Sequence, residues 1–311
     1  MNKELEMYAE ALAKTTPAGI QTAGQLPTGM AFKPSQKIEM KTLEETQFLT
    51  YLENRGCKES WDAYNIGWYD ENPQNTAAAM AETDDVPSFA ETEYSGTPDH
   101  MRLFGTSFVV SYAAMYGVNG RNILQTEQDR GYRLVRNAVD NCLLNGNATS
   151  NPKEFNSVIG TNTADLNGEE LTESDLDDML IEIAKKGGAP DVLVTDYFVA
   201  KQLKAIAAPY RRYNDKVDIG LGFKVTTYES VSGHELVLIV DQHVPYNSTD
   251  SEHSICAFDS STIEIKELAA PSIWDMPTSK FAVKKAIGTW VCAHNCNPGK
   301  SGIINGIGDG E

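Results

Sequence analysis

Cys292, His294 and Cys296 are the residues whose types and spacing could most readily do chemistry, because thiolate and imidazole groups bind zinc. A structural zinc site has four ligands, however, and no second pair of closely spaced cysteines accompanies these three. Cys256 could join them from a neighbouring strand. Ordinary thiols at the end of a strand are the favoured interpretation, and a soluble oligomeric metalloprotein or enzyme that uses these residues is the alternative.

The other residues with catalytic potential form no pattern typical of an active site. His100, His234, His243 and His253 fall in expected loops or turns and lack metal-binding spacing, which favours ordinary surface histidines. The glycine-containing turns match neither G-K-[ST] nor G-x-G-x-x-G, so no nucleotide cradle is visible. The sequence therefore predicts no catalytic residue, no cofactor and no bound metal.

The charge balance excludes several classes of partner. The 311 residues contain 44 acidic and 26 basic side chains, a net charge of −18. This excess disfavours electrostatic capture of nucleic acid or of an anionic membrane. No apolar run approaches the roughly 18 residues of a membrane-spanning helix. A hydrophobic content of 41% is enough for a real core, and the length predicts about two domains.

The acidity is concentrated between Glu59 and Met101, where the sequence contains ten Asp or Glu residues and no Lys or Arg. Aromatic residues at the start of this window indicate a strand, residues 84–87 indicate a turn, and a return strand would complete a long hairpin. Asp84 and Asp85 lack the pattern of a calcium-binding loop. Composition alone leaves two interpretations open, a hairpin that bridges subunits and a solvated acidic loop.

Among the secondary-structure elements, the one that the sequence predicts most clearly is a long helix over residues 122–144. Asn119-Gly120 and Asn145-Gly146 favour turns at its two ends. Helical periodicity divides its residues between two faces. The apolar face contains Leu124, Gly131, Leu134, Val135, Ala138, Val139 and Cys142. The opposite face contains Arg130, Arg133, Arg136, Asn137 and Asp140. We expect the helix to bury one side only.

Two residues on this helix raise more specific expectations. Gly131 lies on the apolar face, where it indicates either the close approach of another backbone or a tolerated glycine. Asp129 and Arg133 are spaced for a modest i,i+4 ion pair on the basic face.

The other elements follow from shorter signals. Residues 1–40 contain prolines and glycines typical of an extended arm. The remaining expected elements are a helical patch over 43–52, a strand over 104–115, a helix after a capping box at 172–175, a buried strand over 191–195, a helix from Asp196 towards Pro209, and strands over 223–227, 236–240, 255–258, 263–265 and 286–291.

This order of segments resembles the tailed-bacteriophage major capsid protein, the shell protein with the HK ninety-seven fold. The stretches that carry the resemblance are 110–117 leading into the long helix, 151–162 as a link, 188–203 at the start of an apical domain, 228–245 as a strand pair, and 286–306 near the end. Together they span nearly the whole chain.

The resemblance implies an α+β fold. Its segments would be an N-terminal arm over 1–40, a short helical segment over 41–58, an E-loop hairpin over 59–103, a peripheral domain over 104–167 with the spine helix at 122–144, an apical domain over 168–252, and the return strands and tail of the peripheral domain over 253–311.

The resemblance also implies a function in assembly. Copies would form the pentamers and hexamers of an icosahedral shell in the virion, assembled in the host cytoplasm, that encloses double-stranded DNA without reading its sequence. Portal and scaffolding proteins would be partners, a decoration protein could bind as well, and no membrane would be involved. Because the chain begins at Met1 without a long helical scaffold segment, we expect a separate scaffolding protein. The nearest alternative is an encapsulin-like compartment that encloses protein cargo.

Two further expectations concern the contacts between subunits. Covalent cross-linking in one branch of this family requires a lysine in the E-loop, and this chain has none there, so we expect non-covalent shells. We also hypothesise that acidic hairpin residues of one copy pair with the basic helix face of the next. The residues concerned are Asp70, Glu71, Glu82, Asp84, Asp85, Glu91 and Glu93 on the hairpin and Arg130, Arg133 and Arg136 on the helix.

Overall fold

A computed structural model describes residues 46–72, 79, 93–117, 123–207, 217–218, 224–229, 233 and 235–308. The predicted N-terminal arm over 1–40, the tip of the acidic hairpin and His234 lie outside the described residues. The described chain divides into two compact units. In the first unit, the described segments are Thr106–Arg133 and Ile273–Ile287; the second unit comprises Glu44–Gly105, Leu134–Ser272 and Gly288–Glu311.

The described residues contain five α-helices. These are α1 (Gln47–Arg55), α2 (Tyr112–Gly117), α3 (Ile123–Asn145), α4 (Glu173–Lys185) and α5 (Tyr197–Ala207). The long helix α3 begins and ends within one residue of the predicted spine helix. None of these helices is long and apolar enough to cross a membrane.

Thirteen strands in the described residues form three sheets. The strands are β1 (Lys58–Ser60), β2 (Asn65–Asn72), β3 (Glu93–His100), β4 (Arg102–Ser111), β5 (Asn162–Asp165), β6 (Val192–Thr195), β7 (Val217–Asp218), β8 (Lys224–Glu229), β9 (Glu235–Val240), β10 (His253–Phe258), β11 (Ile263–Met276), β12 (Ala282–Asn295) and β13 (Gly302–Ile307). Their order is β5-β13-β10-β6-β9-β8-β7 in one sheet, β1-β11-β12-β4 in the second, and β2-β3 in the third.

The seven-stranded sheet carries the main core of the second unit. Its central strand β6 is buried at every position, runs parallel to β9 and is antiparallel to β10. Buried side chains of α4 and α5 pack against it, including Leu176, Leu180, Ile183 and Val199. Burial of each such side chain contributes about 1.5–3 kcal/mol, so this layer fixes where the strand ends lie.

The capping box predicted at the start of α4 is present. The backbone N–H of Asp175 donates to the Thr172 hydroxyl (3.3 Å), and the N–H of Thr172 donates to the Asp175 carboxylate (3.0 Å). The two contacts satisfy N–H groups that have no partner within a helix.

The domain boundary predicted at residue 253 runs through a continuous sheet. The return strands β10 and β13 lie beside β6 and β5 in the seven-stranded sheet. The division into peripheral and apical domains stays a prediction.

The apolar run over 104–115 is a strand only in part. β4 ends at Ser111, whose hydroxyl accepts the backbone N–H of Ala114 (3.2 Å), and α2 begins at Tyr112. A serine at this position caps a helix, and the Ala-Ala-Met sequence that follows favours one. The prediction of a single strand was therefore wrong beyond Ser111.

Burial along α3 departs from the one-sided pattern. Leu134, assigned to the apolar face, is 41% exposed, whereas Asp140, assigned to the solvated face, is 0% exposed. The buried residues Val139, Asp140, Cys142, Leu143 and Leu144 occupy more than half of the helix circumference. In its C-terminal half the helix is covered from a second side, so the expectation that one side only is buried was wrong there.

Gly131 permits a close contact within the first unit. A Cβ atom added at this position would lie 2.6 Å from Cδ1 of Ile287 on β12 and 3.5 Å from Cγ2 of Thr106 on β4. The neighbours that approach the glycine are therefore side chains of two strands and not another backbone. The glycine lets the first turns of α3 lie close to this sheet.

We expect Gly131→Val to lower the free energy of unfolding of the unassembled subunit by about 2 kcal/mol, because its side chain overpacks the contact with Ile287. Urea denaturation measures this loss. Adding Ile287→Val removes the Cδ1 atom and should recover part of it. Equal losses in the single and double variants would show that this contact does not explain the glycine.

Candidate functional site

The basic face of α3 begins with two exposed arginines. The side chain of Arg130 is 51% exposed, and its Nη1 lies 3.8 Å from Oε1 of Glu127. Arg133 is exposed as well. Among the residues that the structure describes, Arg130 pairs with Glu127, and the pair expected between Asp129 and Arg133 is not formed. Arg133 thus presents a guanidinium group without an ion-pair partner in the described part of its own chain.

Arg136 differs from these two because it binds a carboxylate of its own subunit. Its two terminal nitrogens donate to both oxygens of Glu53 on α1, at 3.2 and 2.8 Å, and one also donates to the Thr50 hydroxyl (3.1 Å). Burial acts to raise the pKa of Glu53, but the hydrogen bonds and charge of Arg136, with Lys58, outweigh it and lower that pKa. Arg136 therefore fixes α1 to α3.

The acidic partners of the hypothesis lie on the two-stranded sheet or beyond its described end. Asp70 and Glu71 are in β2, and Glu93 is in β3, opposite Asn72. Only the backbone of these three residues is described, and Glu82, Asp84, Asp85 and Glu91 lie outside the described residues. The antiparallel pairing of β2 with β3 agrees with the predicted hairpin. Pairing with a neighbouring copy stays a prediction.

The base of this hairpin is held firmly in the second unit. Arg102, with a side chain only 8% exposed, contacts Oδ1 of Asp99 through Nη2 (3.1 Å) and donates from Nε to the Glu154 carbonyl (2.8 Å). Trp68 of β2 stacks on His294 of β12, with ring centroids 4.9 Å apart. These contacts fix the base of β2 and β3 within the second unit.

The candidate metal ligands on β12 and directly after it do not converge among the described residues. Cys292 is buried and donates to Oδ2 of Asp99 (3.4 Å), His294 stacks on a tryptophan, and Cys296 is exposed. Burial and the nearby Asp99 raise the pKa of the Cys292 thiol, and burial likewise raises that of Cys256 in the other sheet, so both disfavour the thiolate that zinc requires. The structure contradicts a site built from Cys292, His294 and Cys296.

One cluster of three charged groups was not predicted from the sequence. Within the described ranges, Asp140, Asp241 and His243 form the only group of three or more His, Cys, Asp or Glu side chains with ligand atoms within 4.8 Å of one another. Nδ1 of His243 donates to Oδ2 of Asp140 (2.9 Å) and lies 3.2 Å from Oδ1 of Asp241. Both carboxylates are fully inaccessible to solvent.

The same two carboxylates receive the N-terminus of α1. The backbone N–H of Leu49 donates to Oδ1 of Asp140 (2.8 Å), and that of Phe48 donates to Oδ2 of Asp241 (3.1 Å). The first N–H groups of a helix have no partner within it and carry partial positive charge, so buried anions stabilise them. Thr46, which precedes α1, makes no side-chain cap. Asp140 of α3 and Asp241, directly after β9, therefore cap this helix in place of Thr46.

This cluster is an internal ion network and not a metal site. All four carboxylate oxygens already accept an N–H, from Phe48, Leu49 or His243. Hydrogen bonds to both acids raise the pKa of His243 to about 10, against the effect of burial. Burial raises the pKa of Asp140 to about 6, helped by the charge of Asp241. At neutral pH the histidine is therefore charged.

The burial of two histidines could not be predicted from the periodicity of apolar residues. His243 and His253, both expected on the surface, are largely buried, with side chains 11% and 19% exposed. His253 hydrogen-bonds Asp196 and stacks on Phe198, with ring centroids 4.2 Å apart. The Asp-Gln-His sequence directly after strand β9 was the available signal, because it places a carboxylate two residues from an imidazole.

Solved structures with the same fold are viral and bacterial shells. The encapsulin SrpI of Synechococcus elongatus PCC 7942 has a TM-score of 0.66 at 11% identity, with 89% of this chain and 93% of that chain covered. The capsid of an empty GTA particle has a TM-score of 0.64 at 11% identity, with 93% of this chain and 100% of that chain covered. The capsid of cyanophage A-1(L) gives 0.61 at 14%, covering 90% and 98%. The chain therefore has the HK ninety-seven fold of shell proteins.

Sequence comparison then identifies the family. The sequence model of the SU10 major capsid protein matches residues 21–308. The chain belongs to the SU10 major capsid protein family, and the fold and capsid function implied by the resemblance are confirmed. No curated protein sequence matches the chain.

We expect the subunit to lose stability at alkaline pH through His243. Because its folded pKa lies above the ordinary value of 6.5, its contribution is complete below pH 6.5 and is lost as the pH rises towards about 10. Urea denaturation of the unassembled subunit across this range should show a loss of roughly 3 kcal/mol that His243→Gln abolishes. His100→Gln, at a half-exposed histidine, should keep the wild-type slope. An unchanged slope in His243→Gln would contradict this assignment.

Proposed function

We propose that copies of this capsid protein assemble non-covalently into the pentamers and hexamers of an icosahedral shell that encloses double-stranded DNA. The observation that carries the proposal is the separation of charge along the chain. An acidic segment without any basic residue belongs to a hairpin with a fixed base, while Arg130 and Arg133 are exposed on α3. The role is structural, and we assign catalysis to no residue.

In this proposal, the acidic hairpin of one copy lies over the basic face of α3 of its neighbour. Arg136 is already bound to Glu53 within its own subunit, so it is not one of the groups that would receive the hairpin. Arg130 and Arg133 remain as the receiving groups. Each exposed ion pair contributes about 0–1 kcal/mol, which is too little to hold two subunits together. Many such pairs in a closed shell give lasting assembly through multivalency.

Further partners follow the same proposal. Portal and scaffolding proteins would join the shell during assembly in the host cytoplasm, and a decoration protein could bind its surface. Growth from a compact precursor would require rigid rotation of subunits while hairpins change neighbours. An encapsulin-like compartment is the second candidate, favoured by the structural likeness to SrpI. It would contain cargo protein where the proposed shell contains DNA.

We expect the double variant Arg130→Glu, Arg133→Glu to abolish or strongly reduce shell assembly, because like charges would then face each other across the contact. Sedimentation and electron microscopy at several salt concentrations measure the effect, and wild-type assembly should weaken as salt screens the pairs. The double variant Lys185→Glu, Lys201→Glu, at exposed lysines of α4 and α5, is the matched charge-reversal control and should assemble normally. Unchanged assembly and salt sensitivity in the double variant would refute the proposed contact.

We expect purified particles to dissociate completely in denaturing detergent. The segment between Lys58 and Arg102 contains no lysine to form an isopeptide bond. Gel electrophoresis should therefore show a single band near 34.1 kDa. A ladder of linked subunits would contradict non-covalent assembly.

A further inference from the structure

Phe281 is the most exposed large hydrophobic residue in the described part of the chain. Its exposed fraction is 91%, compared with 78% for Tyr69 and 64% for Tyr197. It is the last residue of the hairpin tip, residues 277–281, that joins β11 to β12, and it directly precedes the buried Ala282. A phenylalanine ring is apolar throughout, so its contact with a partner that removes it from water would be favourable.

The backbone around Phe281 is bound on both sides. Its carbonyl accepts the N–H of Tyr112 (3.2 Å), the N–H of Ala282 donates to the Lys280 carbonyl (2.7 Å), and the N–H of Lys280 donates to the Thr278 hydroxyl (3.1 Å). These contacts lie within the first unit. They hold the main chain in place while the ring extends into solvent, which reduces the entropy lost when a partner covers it.

The tip also has a charge opposite to that of the chain as a whole. Lys280 and Lys284 are exposed and make no ion pair with any described residue, whereas Lys285 pairs with Asp275 (3.3 Å). The segments Thr106–Arg133 and Ile273–Ile287 of the first unit contain six Lys or Arg and three Asp or Glu. The complete chain has a net charge of −18. The rest of a second copy is therefore strongly acidic.

We propose that Phe281 is an apolar anchor that inserts into an acidic-rimmed surface of a second copy of this chain, with Lys280 and Lys284 pairing at the rim. This inference rests on the proposed assembly function and adds a second contact to that of α3. Buried aromatic anchors surrounded by polar contacts are typical of interface hot spots. The complementary charge and the family's role in shells identify the partner as the protein itself.

The test is self-association of the full chain carrying Phe281→Ser, followed by analytical ultracentrifugation and electron microscopy. We expect the critical concentration for assembly to rise at least about tenfold, as truncation of a hot-spot residue predicts. Phe281→Trp should restore assembly, because it replaces one aromatic anchor with another. Tyr197→Ser is the control, since it removes an exposed aromatic ring from the second unit and should leave the critical concentration unchanged.

The outcomes separate this inference from the proposed function. Thermal unfolding of Phe281→Ser should match the wild type, because the ring makes few contacts within the subunit. Wild-type association in Phe281→Ser would overturn the anchor, while shells formed by both proteins would uphold the proposed function. If the wild type forms only small oligomers that Phe281→Ser dissociates, the anchor stands and the shell proposal fails. The anchor would also be overturned if Phe281→Ser lost binding to another virion protein but kept wild-type self-association.

Discussion

Two buried carboxylates, Asp140 and Asp241, hold the N-terminus of α1 against α3 and the end of β9. Neither acid could remain buried and charged without compensation, and the protonated His243 between them provides it together with two helix N–H groups. α1 has only nine residues, too few to be stable alone, so its position depends on this network and on its tertiary packing.

Charged residues in this subunit serve in two places, inside it as ion pairs and on its surface. Inside, each ionic group has a specific partner, as in Arg136 with Glu53 or Arg102 with Asp99, and these pairs define one arrangement of helix, hairpin and sheet. Outside, the acidic segment of the sequence and the exposed arginines of α3 have opposite signs, and Arg133 has no ion-pair partner among the described residues. Fixed internal pairs suit a shell subunit, which must fold as a single shape, and the proposed external pairs would be weak enough to form reversibly before the shell closes.

Sequence patterns predicted those parts of the fold that depend on local periodicity. The bounds of α3, the capping box at Thr172 and the buried strand β6 followed from turn signals, cap chemistry and apolar runs. Asp140 was misplaced because helical periodicity assumes a single covering layer, whereas α1 supplies a second one from a distant part of the sequence. His243 was misassigned for the same reason, since its partner Asp140 lies 103 residues away in the chain. The pairing of Arg136 with Glu53, 83 residues away, was likewise not predictable from local pattern.

A reconstruction of the assembled particle by electron cryo-microscopy, at a resolution that shows side chains, tests the central claim most directly. The account predicts a closed icosahedral shell in which the acidic hairpin of each copy lies over Arg130 and Arg133 of a neighbour. The cluster of Asp140, Asp241 and His243 would remain intact inside every subunit. A small discrete oligomer, or a shell in which the hairpin contacts neither arginine, would contradict it.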